Sequence, residues 1–265
     1  MRKKNNLCVQ DGRYEMNKLN VVSYGGGVNS TAMLIEAVSR GIQIDLILFA
    51  DTGGEKPHTY YYIKLFSKWL VKNKMPEIIT ITKGGIQETL EENCLRCNML
   101  PSLAYGFKSC SHKYKIQPQN KYCNNWLPAK ELWKEGGKVT KFIGYDADEH
   151  HRAKIPEDKK YVYKYPLVEW DIGRDDCVQI IKDAGLPPCG KSACFFCPAS
   201  RESEVRQLKE IYPELAERAI AMERNANLKT IKGLGRRYSW EDLLSQEEMF
   251  DIGNSPEIAC GCYDG

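Results

Sequence analysis

Two patterns in this 265-residue chain are chemical in character. The first is Ser23-Tyr-Gly-Gly-Gly-Val-Asn-Ser-Thr31, three glycines followed by hydroxyl side chains. Leu19–Tyr24 ahead of it reads as a short buried strand. Ser30–Arg40 after it carries Met33, Leu34, Ala37 and Val38 at helical spacing, with Gly41 as a stop. Glycines between a strand and a helix start let main-chain N–H groups approach an anion, and the helix terminus adds about half a positive charge. The candidate phosphate cradle is therefore Ser23, Gly25, Gly26, Gly27, Asn29, Ser30 and Thr31. The alternative is a glycine turn with a capping serine. There is no Walker lysine and no GxGxxG spacing, so neither a P-loop GTPase nor a Rossmann dinucleotide site fits.

The second pattern is cysteine. Cys189-x4-Cys194-x2-Cys197 has metal-ligand spacing, since two thiolates two residues apart can bind one ion from a single turn. Spacing alone fits zinc as well as iron–sulfur, and buried apolar thiols are the alternative. Cys94-x2-Cys97 is a second pair, read as a redox couple or a further source of ligands. Cys260-Gly-Cys262 can be a nucleophilic thiol tail, can complete a zinc site with Cys94 and Cys97, or can be inert. Cys8, Cys123 and Cys177 have no partners by spacing and read as structural.

The elements that must position these groups alternate between strand and helix. Ile44–Ala50 is a second buried strand ending in Asp51-Thr52-Gly53, and Pro57 opens a helix to about Lys72. Glu77–Thr82 is a third strand, Val139–Gly144 a fourth, and Tyr161–Leu167 holds a fifth. Such alternation implies right-handed crossovers and a mostly parallel sheet, that is, an α/β fold. In such a sheet the Asp51 loop lies at the ligand crevice, where its carboxylate can accept from a ribose or an adenine amine. Residues 1–18 read as a polar arm, 19–187 as the nucleotide domain with a Cys- and Lys-rich insert over 91–137, and 188–265 as a Cys-rich helical region. Helices are expected over 174–186, 201–226 and 240–246, the last capped by Ser239.

Composition narrows the class. Apolar residues at 42% and aromatics at 10% are enough to bury a core, which argues against disorder. The longest apolar run, Ile44–Ala50, is interrupted by Asp45 and falls far short of the roughly 20 residues of a membrane span. No apolar segment follows MRKKNN, so no secretory signal is expected and the default location is the cytoplasm. There, 11 cysteines suggest metal ligands or reactive thiols rather than disulfides. From Lys108 to Lys141 eight lysines stand against Glu131 and Glu135, with Tyr114, Tyr122 and Trp126 between them. A basic stretch of this kind can track nucleic-acid phosphates and stack bases, hold one highly charged nucleotide, or be a solvated face. His112, His150 and His151 are candidates for acid–base roles or surface positions.

The glycine loop resembles the SGGxDS loop of the PP-loop superfamily of ATP pyrophosphatases and adenine-nucleotide α-hydrolases, with Asn29 in place of the motif's Asp. Further segments resemble that superfamily's phosphoadenylylsulfate (PAPS) reductase branch. Phe49-Ala-Asp-Thr-Gly-Gly-Glu-Lys-Pro57 is similar to its DTGxxxPET run. Cys110-Ser-His-Lys-Tyr-Lys-Ile-Gln-Pro118 is similar to CCxxxKxxP, with Ser111 for the second cysteine. Gly144-Tyr-Asp-Ala-Asp-Glu149-His-His-Arg152 is similar to GxRxxES followed by Arg, with Asp146 for the Arg and His150 for the Ser. Tyr165-Pro-Leu-Val-Glu-Trp170 and Gly185-Leu-Pro187 match PLxxW…GLP.

The resemblance implies a three-layer sandwich with strand order 3-2-1-4-5. It implies an adenine nucleotide, ATP or a sulfonucleotide, flanked by Asp51, Thr52, Gly53 and Gly144, with Lys115 and Arg152 neutralising phosphate or sulfonate and Glu149 beside them. It implies a [4Fe-4S] cluster on Cys110, Cys189, Cys194 and Cys197, with Zn2+ as the alternative. It also implies a nucleophilic Cys–Gly near the C-terminus, here Cys260 or Cys262, resolved by a thioredoxin-like reductant. The four departures point to a divergent member. The first reading is thus sulfur-transfer or sulfonucleotide-reduction chemistry beside a cysteine-ligated metal centre. The alternative is an ATP pyrophosphatase that adenylates and thiolates tRNA or DNA. A non-catalytic nucleotide-binding module is the third.

Overall fold

A computed structural model describes residues 18–84, 88–101 and 108–245. The expected N-terminal arm (except Lys18) and the Cys260-Gly-Cys262 tail therefore lie outside the described residues. Five strands form one sheet: β1 (Leu19–Tyr24), β2 (Leu46–Asp51), β3 (Ile78–Thr82), β4 (Val139–Phe142) and β5 (Tyr161–Lys164). All neighbours are parallel and the order is β3-β2-β1-β4-β5, as expected. Val22 is in register with Ile47 on one side and Phe142 on the other. β1 and β2 are near-continuous apolar runs because helices cover both faces of the sheet.

Alternation along β1 sorts the core. Val22 and Tyr24 face one layer with Ile47 and Phe49, packed against Ala32, Met33 and Ile35 of α1 (Val28–Ser39) and Tyr62, Phe66 and Leu70 of α2 (Pro57–Lys72). Val21 faces the other with Leu46 and Leu48, against Cys123 of α5 (Gln117–Asn125) and Ala129 and Leu132 of α6 (Leu127–Lys134). The chain turns from β1 to β2 on one side and reaches β4 on the other. The switch point thus lies between β1 and β4, at the carboxyl end where the glycine loop begins.

The insert is helical where described. α3 (Leu90–Arg96) opens with a Thr89–Glu92 capping box. α4 (Ser109–Ser111) runs through a π-helical turn, His112–Ile116, into α5. After β5 come α7 (Pro166–Glu169) and α8 (Arg174–Asp183). The run 201–226 is two helices, α9 (Glu202–Ile211) and α10 (Pro213–Asn225), not one. Pro213 pushes Tyr212 out of the helical region, to φ −135° and ψ 66°. β5 ends earlier than expected because Pro166 opens α7. Among the described residues no helix is long and apolar enough to cross a membrane.

A further apolar cluster joins Leu90 and Cys94 of α3 to Phe195, Phe196, Val205 and Leu208, and to Trp240 of α11 (Trp240–Ser245). Buried Glu223 organises its far end by accepting from the backbone N–H groups of Leu234, Trp240 and Glu241. Glu223→Ala orphans these donors. The expected loss is about 3 kcal/mol of stability, read from the urea midpoint. A midpoint unmoved from wild type would show that water replaces the carboxylate.

Candidate nucleotide and thiol site

The glycine loop is shaped by what surrounds it. Gly26 has φ +79°, and a Cβ there would lie 3.2 Å from Ser192 Oγ and 3.3 Å from Thr59 Cγ2. Gly27 is the extended N-cap of α1 and provides no side-chain cap, so the first N–H groups of the helix have no capping side chain. The hydroxyls of Ser30 and Thr31 donate to the Gly27 carbonyl at 3.2 and 2.8 Å. Thr31 also shares a 3.1 Å hydrogen bond with the Tyr24 hydroxyl. Ser23 is committed elsewhere: its hydroxyl donates to Gln119 Oε1 on α5 at 2.6 Å.

The second loop packs against the first. Asp51 Oδ1 accepts from Gly53 N at 2.8 Å and from the Tyr60 hydroxyl at 2.9 Å, closing the turn at the end of β2. The next residues bind the cysteine segment directly. Phe195 N donates to Gly54 O at 2.8 Å, and the Thr52 hydroxyl lies 3.0 Å from Cys194 Sγ. Glu55, buried with its side chain fully enclosed, pairs with Lys115 of the π-helical turn at 3.4 Å. Ser192 Oγ lies 2.7 Å from Gly25 O, to which it donates, and 3.2 Å from Glu55 Oε2. A continuous polar path thus runs from the glycine loop through Ser192 and Glu55 to Lys115. Sequence reasoning singled out neither Glu55 nor Ser192. The only available signal was their position, one two residues past Asp-Thr-Gly and the other inside the cysteine spacing.

Cys110, Cys194 and Cys197 line one pocket, together with Thr52, Lys115 and Phe196. Burial and the Glu55 carboxylate push the Cys194 thiol up, opposed by Lys115 and the Thr52 hydroxyl. Cys189 does not line this cavity. It is buried in the sheet core behind the glycine loop, donates to Gly190 O at 3.6 Å, and has its thiol pushed up to about 11 by burial. Cys94 shares the α3 cluster and is pushed up to about 12 by burial, with Cys110 and Cys97 nearby. Cys97 itself is exposed.

A single zinc ion, at about 2.3 Å from each thiolate, needs its sulfurs within about 4 Å of one another. Among the described residues no three His, Cys, Asp or Glu side chains meet that kind of demand.

The third wall follows β4. Gly144 and Asp146 are buried at its carboxyl end, and Asp146 caps the 3-10 turn Ala147–Arg152 by accepting from Glu149 N at 3.0 Å. Asp146 Oδ2 accepts from Asn29 Nδ2 at 2.8 Å, and Arg174 Nη1 donates to Asn29 Oδ1 at 2.6 Å. Arg152 pairs with Glu149 on the same turn and lies over the Tyr145 ring at 4.2 Å. These two residues neutralise one another. Exposed His150 faces the Ala147 carbonyl at 3.1 Å.

The basic stretch divides. Lys113, Lys121, Lys130 and Lys134 are exposed, while Lys115 and Lys141 are buried. Lys141 donates to Asn120 and lies 4.3 Å from the Tyr161 ring centroid, and burial lowers its pKa. Tyr114 is buried too, so it offers no stacking face.

No family model matches the chain. An uncharacterized protein of Methanocaldococcus jannaschii is 25% identical over 227 residues, which are 80% of this chain and 50% of that protein. The chain thus spans about half the length of this relative. Among solved structures, the U34-tRNA thiolase NcsA from Methanococcus maripaludis with its [4Fe-4S] cluster overlays with a TM-score of 0.42 and 16% identity, over 91% of this chain and 86% of that one.

The loop geometry separates two neighbouring glycines. Gly26→Ala is expected to cost about 1–3 kcal/mol, from its left-handed backbone and the contacts with Ser192 and Thr59. Gly27→Ala, with ordinary φ and a nearest contact of 4.0 Å, should leave stability nearly unchanged. Paired chemical denaturation checks both, and equal effects would contradict the loop conformation.

Proposed function

We propose that the chain is an adenine-nucleotide enzyme of the PP-loop kind that activates an acceptor with ATP and delivers sulfur to it, the acceptor being a nucleic acid. The observation carrying this reading is the shared wall between the nucleotide loop and the thiol cavity. Ser192 touches Gly25 on one side and Glu55 on the other, and Thr52 touches Cys194. A nucleotide held by the amides at the start of α1 would therefore place its reacting phosphate beside three cysteines.

In this reading an acceptor oxygen attacks the α-phosphorus of ATP and pyrophosphate leaves. A sulfur nucleophile then displaces AMP from the activated carbon. The Gly25–Gly27 amides and the helix terminus take up phosphate charge. Asp51, whose Oδ1 is already occupied by Gly53 and Tyr60, retains Oδ2 for the ribose or adenine. Cys110, Cys194 and Cys197 would hold a [4Fe-4S] cluster, which when bound supplies a Lewis-acidic iron for the sulfur.

Among the described residues three thiols, Cys110, Cys194 and Cys197, line the pocket, which fits this reading. Three protein ligands leave one position open to an incoming group, whereas four close the site. Exposed Lys113, Lys121, Lys130 and Lys134 support a polyanionic acceptor.

Two measurements test the reading. Incubation of ATP with bulk tRNA should release AMP and pyrophosphate in an RNA-dependent way, with RNA affinity falling steeply as salt rises. Anaerobically purified protein should contain iron that is lost in Cys110→Ala, Cys194→Ala and Cys197→Ala and kept in Cys189→Ala. Reduction of PAPS with thioredoxin, without pyrophosphate release from ATP, would replace this assignment with the reductase one.

A further inference from the structure

The acid of the nucleotide loop has changed its place. The resembled pattern has a carboxylate at position 29 and a guanidinium at position 146, whereas this chain has Asn29 and Asp146. The two positions are 117 residues apart in sequence and meet in the fold, where Asn29 Nδ2 donates to Asp146 Oδ2 at 2.8 Å. Arg174, from the first turn of α8, donates to Asn29 Oδ1 at 2.6 Å. The other oxygen of Asp146 accepts from Glu149 N at 3.0 Å. Asn29 is 4% exposed and Asp146 2% exposed.

This arrangement is ordered by sign. An asparagine amide has one donor end and one acceptor end. A guanidinium only donates and an ionised carboxylate only accepts. Arg174 and Asp146 therefore admit a single orientation of Asn29, oxygen toward Arg174 and nitrogen toward Asp146. Asn29 lies in the first turn of α1, whose N-cap Gly27 supplies no side-chain cap and which the nucleotide reading assigns to phosphate. A buried carboxylate needs such partners, because without them its desolvation is not compensated.

We propose that Asp146 is the positioning carboxylate of the nucleotide loop. It holds Asn29, and through it the first turn of α1, in the orientation that receives phosphate, and Arg174 fixes the sense of the amide. This rests on the nucleotide reading above and deepens it. A carboxylate is kept beside the loop, but on the β4 side instead of within it.

The informative variant is the one that makes the loop match the resembled pattern. Asn29→Asp sets two carboxylates at hydrogen-bond distance inside the protein. It is expected to weaken ATP binding by about tenfold or more. Asp146→Asn keeps a hydrogen bond but loses the charge, for an expected loss of about threefold. The double variant N29D/D146N exchanges acid and amide, and gives the new carboxylate two donors: the amide now at position 146 and the Arg174 guanidinium. It should return to within about threefold of wild type.

Calorimetry of the full chain with Mg-ATP, and with adenosine as a competitor, reads the effect. A positioning role for the phosphate loop moves ATP and leaves adenosine unchanged, while a collapsed pocket moves both. The proposal is overturned if Asn29→Asp binds ATP as tightly as wild type, if the double variant is no better than Asn29→Asp, or if ATP and adenosine weaken together. Should Asn29→Asp fail to fold, Arg174→Gln decides. This exposed change should weaken ATP a few-fold with adenosine unmoved, and unchanged ATP affinity refutes the proposal. Wild-type protein that binds none of ATP, AMP and PAPS is a different result. It removes the nucleotide reading itself, and this inference with it.

Discussion

The Glu55 carboxylate holds the functional half of the molecule together. It is enclosed, and it is shared by three segments far apart in sequence: the loop after β2, the π-helical turn through Lys115, and the cysteine segment through Ser192. Burying a charge is unfavourable by several kcal/mol unless partners are well placed, and removing one partner of a buried pair typically costs about 3–5 kcal/mol. The three segments are therefore held to one arrangement. Ser192 extends that constraint to the Gly25 carbonyl, so the glycine loop and the thiol pocket are fixed relative to each other. The Gly54 carbonyl, bound by Phe195 N, adds a main-chain contact at the same junction.

The sheet explains why the junction forms there. Strand order reverses between β1 and β4, which leaves a crevice at their carboxyl ends. Each wall comes from a different strand end: the glycine loop from β1, Asp51 to Glu55 from β2, and Gly144 to Asp146 from β4. None of these loops could bury its polar groups alone. Each is satisfied by a neighbour, as in the Asn29–Asp146 and Ser192–Glu55 contacts. The helical C-terminal part shares its apolar core with α3 and joins the same crevice through Cys194 and Phe195.

Much of this was legible in the sequence, and the exceptions have physical reasons. Buried strands and the glycine loop are local patterns, and both are found where their spacing put them, to within about three residues. Strand order is not local and came from the family resemblance. Cys189 and Cys194 look like one ligand set because spacing is measured along the chain. The intervening segment passes over Gly25 at Ser192, which sends Cys189 into the sheet core and Cys194 into the cavity. Glu55 follows two glycines and reads as a solvated loop residue, since nothing local announces a lysine 60 residues on. The basic stretch divides for a similar reason. Counting lysines ignores which way a helix or strand turns them, and Lys115 and Lys141 turn inward.

Burial also bears on what the cavity thiols do. A nucleophilic cysteine needs a thiolate, which exposure and nearby cations promote. Cys194 is half-buried, with the Lys115 cation and the Glu55 carboxylate acting on it in opposite directions. It sits in the cavity wall, and the Glu55 carboxylate adds to burial in keeping its proton on, with Lys115 opposing. Burial and Glu55 together shift the thiol upward, which disfavours the thiolate. A bound metal centre reverses that balance, because coordination removes the thiol proton and the metal's positive charge offsets Glu55. The surroundings of Cys194 thus suit a ligand better than an attacking group.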